Sequence, residues 1–309
     1  MSVLIVCNHK DPQPWAEALQ TALPQTKIEI YPELADPLEV QFLLCWKPQP
    51  HLFDQFPNLK VVQSLGAGVD HIFDTQKLSE RILVARIVDP RLSSDMWEFL
   101  LALVMNQLRQ LSLYQQQQKQ ELWLPHAYQS IAETCISILG LGQIGRKVAQ
   151  NFAQLGFRVQ GWSNTPKSIP GVDCLVGSEV LPTLLSNTDI LINLLPLTPQ
   201  TTGLLNRKNL DLLKPAAFLI NVGRGGHLVE EDLLELLAAG RLGGAALDVI
   251  AKEPLPKDHP FWQHPKILLT PHIASTTNIA TAVGQIVENY RRFLAGKPLL
   301  NQVSVLRGY

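Results

Sequence analysis

Residues 135–145 read Cys135-Ile-Ser-Ile-Leu-Gly140-Leu-Gly142-Gln-Ile-Gly145, and the rest of the chain is organised around them. A short, mostly apolar run of strand length enters a glycine-rich turn, and a helical stretch follows to residue 155. G-x-G-x-x-G in this strand–turn–helix setting is a dinucleotide-binding loop. The first glycine makes the tight turn, the second lets a pyrophosphate approach the backbone, and the third lets helix and strand pack closely. The free N–H groups of the helix start then face the phosphate. Outside that setting the same string would mean no more than a tight turn.

Outward from the loop, short apolar runs at 158–162, 190–194, 217–221, 244–248 and 266–270 alternate with helical stretches at 143–155, 180–185, 230–239 and 278–294. Upstream, runs at 3–7, 27–31, 42–45 and 59–64 read as strands, with a helix at 15–23. Strands that are apolar on both faces and separated by helices belong to parallel sheets covered on both sides. The pattern predicts an α/β protein of two Rossmann-like, doubly wound parallel-sheet domains with a cleft between them. A long helix at 94–120, capped by Ser93, Ser94 or Asp95, is apolar nearly all round at 99–105 and ends in an exposed glutamine-rich piece at 114–120. The last helix follows the second series and is expected to return to the first. Residues 1–97 with 279–309 then form a discontinuous, flavodoxin-like substrate-binding domain, and 98–278 the NAD(P)-binding domain.

At 309 residues the chain is long enough for two cores. Its 26 basic and 27 acidic side chains leave a net charge of −1, which offers nothing to nucleic acid or an anionic membrane. No apolar run approaches the ~18 residues of a spanning helix. The opening MSVLIVCNHKDP turns polar too soon for a signal-peptide core. Cys7, Cys45, Cys135 and Cys174 have neither CxxC nor zinc spacing and read as buried filler, so no metal is expected. These features point to a cytoplasmic protein.

A carboxylate about 20 residues past the glycine loop would hold a ribose 2′-hydroxyl. Here the window reads Gln160-Gly-Trp-Ser163-Asn164-Thr165-Pro-Lys167, without an acid. Hydroxyls, an amide and a lysine suit a 2′-phosphate, so NADP(H) is preferred and NAD(H) possible. Ser163, Asn164, Thr165 and Lys167 therefore join Gly140, Gly142, Gln143, Ile144 and Gly145 as candidate cofactor contacts.

Hydride transfer to a ketone needs a proton donor, an anchoring cation and a carboxylate to orient the donor. His272 follows an apolar strand and Pro271, at the strand end where ligands bind in open α/β sheets. Arg224 sits among glycines in Asn221-Val-Gly-Arg224-Gly-Gly, also past a strand. Glu253 lies just past another, at whose end stands Asp248. In the first domain, Ser64-Leu-Gly66-Ala67-Gly68 could offer backbone N–H groups to a carboxylate or form only a positive-φ turn. His9, His51, His71, His126, His227, His259 and His264 stand in polar, loop-like contexts and read as surface or capping residues.

Three motifs in fixed order then carry a resemblance. They are Asn221-Val-Gly-Arg-Gly-Gly, Gly243-Gly-Ala-Ala-Leu-Asp-Val-Ile-Ala-Lys-Glu-Pro-Leu-Pro and Thr270-Pro-His-Ile-Ala. With the glycine loop, they make nearly the whole chain resemble the D-isomer-specific 2-hydroxyacid dehydrogenase family. Leu65-Gly-Ala-Gly-Val-Asp70, Trp162-Ser163, Asn193-Leu-Leu-Pro196, Trp262-Gln-His-Pro265 and the ending Arg307-Gly-Tyr309 are most similar to its glyoxylate- and hydroxypyruvate-reducing branch.

The resemblance implies that His272 is the acid, Glu253 its orienting partner and Arg224 the substrate anchor. It implies that the Gly66, Ala67 and Gly68 amides bind a substrate carboxylate, with Trp46 nearby. Asp248, Val222, the turn from Leu194 to Pro196, Arg224 and His272 would border the nicotinamide, and Met96 and Trp97 would lie close to the cleft. It further implies two lobes closing on a small 2-oxo acid and a homodimer paired through the cofactor domain. One position departs from the branch: it carries arginine where this chain has Asn164, which leaves Lys167 as the candidate cation. The expected activity is NADPH-preferring reduction of glyoxylate to glycolate and hydroxypyruvate to D-glycerate. Two other readings stay open: an NADH-using dehydrogenase of a different or bulkier 2-oxo acid, and a low-turnover dinucleotide sensor that binds a protein partner.

Overall fold

The computed structural model describes residues 2–8, 11–73 and 78–305. His9 and the ending Arg307-Gly-Tyr309 lie outside them. The chain divides into two compact units, Met1–Leu92 with Thr276–Tyr309, and Ser93–Ser275. Each is a Rossmann-like α/β layer built on one sheet.

The first unit opens with β1 (Ser2–Cys7), α1 (Gln13–Ala22), β2 (Lys27–Ile30), β3 (Val40–Trp46), β4 (Val61–Ser64), α2 (Asp70–Phe73) and β5 (Leu83–Ala85). The second holds α3 (Pro90–Leu108, its first turn belonging to the first unit), α4 (Leu111–Lys119), β6 (Cys135–Leu139), α5 (Gln143–Gln154), β7 (Arg158–Ser163) and β8 (Val172–Val176). It continues with α6 (Leu181–Ser186), β9 (Ile190–Asn193), α7 (Arg207–Leu210), β10 (Ala217–Asn221), α8 (Glu230–Ala238), β11 (Leu242–Leu247) and β12 (Ile267–Leu269). The chain then returns to the first unit with α9 (Ile279–Leu294) and β13 (Gln302–Val303).

In the first sheet the strand order is β13-β5-β4-β3-β1-β2, parallel except for β13. Alternate residues feed its two faces. Val3, Ile5, Phe42 and Leu44 pack with Ala282, Ile286 and Tyr290 of α9, while Leu4, Val6, Leu43 and Cys45 face Leu52, Phe53 and Ile72. Helix α9 is also tied by a buried amide: Asn289 donates to Gln63 Oε1 (3.0 Å) and to the Leu300 carbonyl (3.1 Å). Burying such an amide is tolerable only because its partners are supplied.

The second sheet runs β12-β11-β10-β9-β6-β7-β8, with every pairing parallel. From β6 the chain builds outward to β8, then crosses back to β9 and builds the other way. The switch point therefore lies between β6 and β9, where Leu139 and Asn193 are paired at the carboxyl ends. That is the place where open α/β sheets bind ligands.

The long helix, its cap and two of the cysteines differ from the sequence reading. The helix expected at 94–120 is two helices, because Gln110 takes a left-handed backbone (φ 54°) between α3 and α4. No glycine or proline marks that break. Helix α3 also starts earlier, at Pro90, whose fixed φ suits a first helical residue. Its start is served by Asp89, which accepts from the Arg91 N–H at 2.9 Å, rather than by Ser93, Ser94 or Asp95. The glutamine-rich end is largely exposed, but Gln117 is buried against His126. Of the cysteines, Cys45 and Cys135 are buried, while Cys7 and Cys174 are only partly so.

Candidate active site

At the switch point each glycine of the loop has its own physical cause. Gly140 has φ 103°, and a Cβ there would lie 2.8 Å from the Leu194 carbonyl oxygen. A Cβ on Gly145 would lie 1.8 Å from the Gly140 carbonyl oxygen, so only glycine lets α5 start this close to β6. Gly142, the N-cap of α5, has ordinary extended backbone (φ −70°, ψ −164°) and nothing within 4 Å of the place a Cβ would take. It offers no side-chain cap to the first turn. Free N–H groups beneath open space are what a pyrophosphate requires, and these residues fit a dinucleotide. Gln143 is exposed and Ile144 half-buried at the helix start.

Past β7, Ser163 is buried and its hydroxyl donates to the Thr165 carbonyl (2.8 Å), curling a loop that leaves Asn164, Thr165 and Lys167 exposed. The Arg146 guanidinium, from the first turns of α5, donates to the Ser168 carbonyl at 2.7 Å. A second cation thus stands at the end of that loop. Past β9, Leu194 is half-buried and Pro196 exposed. Val222 is buried, and Met96 lies in the core of the second unit with Ile136 and Ile138. Trp97 packs edge-on against Phe152 with ring centroids 4.6 Å apart.

The neighbouring strands β10, β11 and β12 bring the loops after Asn221, Leu247 and Leu269 side by side. Asp248 organises them. Only 4% exposed, its carboxylate accepts from the Thr270 hydroxyl (2.6 Å), the Ile273 N–H (2.9 Å) and the Ala274 N–H (3.0 Å). Its carbonyl accepts from the His272 N–H at 2.9 Å. Held on both sides, His272 takes φ 56°, a conformation that a β-carbon disfavours and that persists only where its surroundings over-determine it.

The His272 ring then meets Glu253. Nδ1 lies 2.9 Å from Oε2 and 3.1 Å from Oε1, with the two side chains 28% and 23% exposed. A ring nitrogen facing two carboxylate oxygens carries the hydrogen, so Nδ1 donates to Glu253 and Nε2 is the ring atom left to act elsewhere. Arg224 is half-buried in the adjacent loop, with its guanidinium donating to the Gly223 carbonyl at 2.8 Å. A Cβ on Gly225 would sit 1.9 Å from the Ile250 carbonyl carbon, so the Arg224 loop lies directly on the loop after β11.

His227 contradicts its expected place on the surface. Its polar sequence neighbours suggested a capping residue, yet the side chain is fully buried among Asn193, Arg224 and Pro196. Its spacing of three residues from Arg224, within one glycine-rich motif, was the available signal.

In the first unit, the expected carboxylate loop is tightly self-bonded. Ser64 Oγ donates to the Gly68 carbonyl (2.7 Å) and accepts from the Gly66 N–H (3.1 Å). Gly66 is glycine because the Trp46 ring lies against it; a Cβ would come within 2.6 Å of that ring. Trp46 in turn packs on His71 with centroids 4.9 Å apart.

A family profile described as "D-isomer specific 2-hydroxyacid dehydrogenase, NAD binding domain" matches residues 101–274. Among curated relatives, glyoxylate/hydroxypyruvate reductase A of Yersinia enterocolitica is 39% identical over 314 aligned residues, covering 100% of both chains. The protein of that name from Serratia proteamaculans is 37% identical with the same coverage. Among solved structures, a D-isomer specific 2-hydroxyacid dehydrogenase from Xanthobacter autotrophicus Py2 in complex with NADPH and MES superposes with a TM-score of 0.94 at 40% identity, covering 100% of this chain and 99% of that one. The NADPH-dependent glyoxylate/hydroxypyruvate reductase of Sinorhizobium meliloti, in complex with NADP and sulfate, gives 0.92 at 33% identity, with 100% of each chain covered.

Proposed function

The chain belongs to the D-isomer specific 2-hydroxyacid dehydrogenase family, and from that premise we propose that it is an NADPH-preferring reductase of small 2-oxo acids, glyoxylate and hydroxypyruvate foremost. The observation that carries the reading is the His272–Glu253 pair at 2.9 Å, on the same sheet edge as the open glycine loop. The names of the relatives at 37–39% identity over the full length support the substrate class. NADPH or NADP stands in two of the solved neighbours and supports the cofactor preference.

When bound, NADPH supplies a hydride to the substrate's carbonyl carbon. His272, oriented through Nδ1 by Glu253, delivers a proton from Nε2 to the oxygen that gains charge. Arg224 holds the substrate carboxylate or polarises the carbonyl, which a guanidinium does bidentately. Gly66, Ala67, Gly68 and Trp46 are assigned to the substrate carboxylate on the family resemblance, the Gly66 N–H being bonded here to Ser64 Oγ at 3.1 Å. Gly140, Gly142 and Gly145 with the α5 start serve the pyrophosphate. Thr165 and Lys167 would serve the 2′-phosphate, Asn164 being unable to clamp it as arginine would, while Ser163 curls their loop through its bond to the Thr165 carbonyl and Arg146 supports it. Leu194, Pro196, Val222 and Asp248 would border a bound nicotinamide, with Met96 in the core cluster that holds Val222. For hydroxypyruvate the product is D-glycerate.

The chain acts in the cytoplasm as a homodimer paired through the second unit. Trp123 is fully exposed there, between Leu122 (52%) and Leu124 (55%), with Tyr128 following at 59%, and exposed apolar surface of this kind marks interaction sites.

The test is the fall in NADPH absorbance with glyoxylate or hydroxypyruvate, repeated with NADH. Fast turnover with NADPH and slow turnover with NADH is the expected result. Equal rates would retire the cofactor preference. No turnover with either, despite cofactor binding, would overturn the reductase reading.

A further inference from the structure

His227 is the one fully buried histidine among the described residues, and the proton delivery above does not use it. It closes the short turn Gly225–His227, and its carbonyl accepts from the Leu205 N–H at 2.8 Å, which fixes the ring's mounting. Nδ1 lies 2.9 Å from Asn193 Nδ2 and accepts from the Arg224 N–H at 3.1 Å. Nε2 lies 3.2 Å from the Pro196 carbonyl oxygen.

The neighbours decide the tautomer. Asn221 is oriented by two backbone partners, since Oδ1 accepts from the Gly223 N–H (3.3 Å) and Nδ2 donates to the Arg224 carbonyl (3.1 Å). Asn193 must then present its NH₂ to Asn221 Oδ1 (2.9 Å), and its own Oδ1 accepts from the Leu195 N–H (3.3 Å). The second amide hydrogen of Asn193 aims at His227 Nδ1. Two N–H donors thus converge on Nδ1, which is bare, and the ring hydrogen is on Nε2, pointing at the Pro196 carbonyl. The Arg224 carbonyl, 3.0 Å from Nδ1, is in contact without a hydrogen between. Gly223 completes the arrangement, because a Cβ there would lie 2.8 Å from Asn193 Nδ2 and 3.2 Å from Nδ1.

We propose that His227 is a positioning residue whose two ring nitrogens set two different contacts: bare Nδ1 fixes the backbone from which Arg224 reaches the substrate, and Nε2–H fixes the Pro196 carbonyl in the turn that borders the cofactor. This deepens the function proposed above and rests on it for the roles of Arg224 and Pro196. The device needs an imidazole because no other uncharged side chain presents an acceptor and a donor in opposite directions from one rigid ring.

Two isosteres separate the halves. The amide of asparagine reaches the Nδ1 position, and that of glutamine the Nε2 position. His227→Asn keeps an acceptor for the Arg224 N–H and loses the donor to Pro196. The Kd for NADPH should therefore weaken roughly 3- to 10-fold, the effect of one buried hydrogen bond, while the KM for glyoxylate holds. His227→Gln should do the reverse, and His227→Leu should shift both constants. If Asn and Gln move the same constants to the same extent, or neither moves any, the ring is packing only and the proposal falls. Arg224→Gln is the control: if it leaves the KM for glyoxylate unchanged, the functional reading has failed rather than the role of His227. Should the variants not fold, long-range nitrogen NMR of the histidine-labelled wild-type chain reads the tautomer directly. A bare Nδ1 on His227 is expected, and a hydrogen on it overturns the proposal.

Discussion

Gly142→Ala and Gly145→Ala make opposite demands on the protein, although the two glycines stand three residues apart in one loop. Gly142 has an extended backbone that alanine adopts freely, and its methyl would meet nothing within 4 Å. The ligand-free protein should therefore accept the change. Alanine restricts the unfolded chain, worth about 0.4–1 kcal/mol, but is a poorer N-cap than glycine by a similar amount, so the ligand-free Tm should stay within about 3 °C of wild type. The same methyl projects into the space a pyrophosphate must enter to reach the α5 N–H groups. Overpacking costs about 1–3 kcal/mol, which corresponds to a Kd for NADPH roughly 5- to 150-fold weaker. Gly145→Ala is the converse. Its Cβ would fall 1.8 Å from one backbone oxygen and 3.0 Å from a backbone carbon, neither of which can rotate away. Helix α5 must move off β6, and Tm should fall in the absence of any ligand. Thermal melts with and without NADPH, with a fluorescence titration, distinguish the two. Gly142→Ala binding NADPH with wild-type affinity would refute the placement of the pyrophosphate. A fall of several degrees in its ligand-free Tm would refute the open-space argument itself.

His272→Gln should lower kcat by ~10²–10⁴-fold with the Kd for NADPH nearly unchanged, as loss of a general acid does; stopped-flow turnover beside a binding titration reads both. Asp248→Asn replaces an acceptor of three hydrogen bonds with a group that must turn an NH₂ toward a donor. The unsatisfied contact costs about 1–3 kcal/mol, so Tm should drop and kcat fall with it as the loop holding His272 loosens. Lys167→Glu should raise the KM for NADPH at least ~10-fold while sparing NADH, since a carboxylate repels a 2′-phosphate and suits a 2′-hydroxyl. Burial pushes the Cys45 and Cys135 thiols up. Thiolate is the nucleophile, so iodoacetamide at pH 8 should spare Cys45 in the native chain and modify it after denaturation, with peptide mass mapping as the readout.

What was legible in the sequence was what local sterics dictate. The turn after β6 needs φ 103° at Gly140 and no side chain at Gly145, and both demands are met by glycines at fixed spacing. The sheets followed because residues such as Ile190 to Ile192 are apolar on both faces. The missed elements have weak local signals. Strand β8 alternates with polar Asp173, β5 has three residues and β13 two. The break at Gln110 lacks a breaking residue. The meeting of Glu253 with His272 is invisible to periodicity, since it depends on β11 and β12 being neighbours, and was expected only through family resemblance. Asp248 was expected to line a ligand. Its bonds to Thr270, Ile273 and Ala274 make it the post on which the His272 loop is hung, a role that no spacing discloses.

His227 and His272 show why residue type alone could not sort the site. Both follow strands of one sheet, β10 and β12 with β11 between them, and both sit near glycine or proline. The His272 ring faces a carboxylate through Nδ1, keeps part of its surface exposed and is propped in a disfavoured backbone conformation by Asp248. Such a ring has one nitrogen committed and one available, which is the condition for passing a proton. The His227 ring has donors converging on Nδ1, a carbonyl opposite Nε2 and no exposure. Both of its nitrogens are committed, so it cannot pass a proton without breaking the contacts that hold Arg224 and Pro196. The chemistry available to each histidine is therefore set by the partners its strand end supplies. Exchanging those partners, as Glu253→Gln does for His272, should turn a proton-passing ring toward a merely structural one.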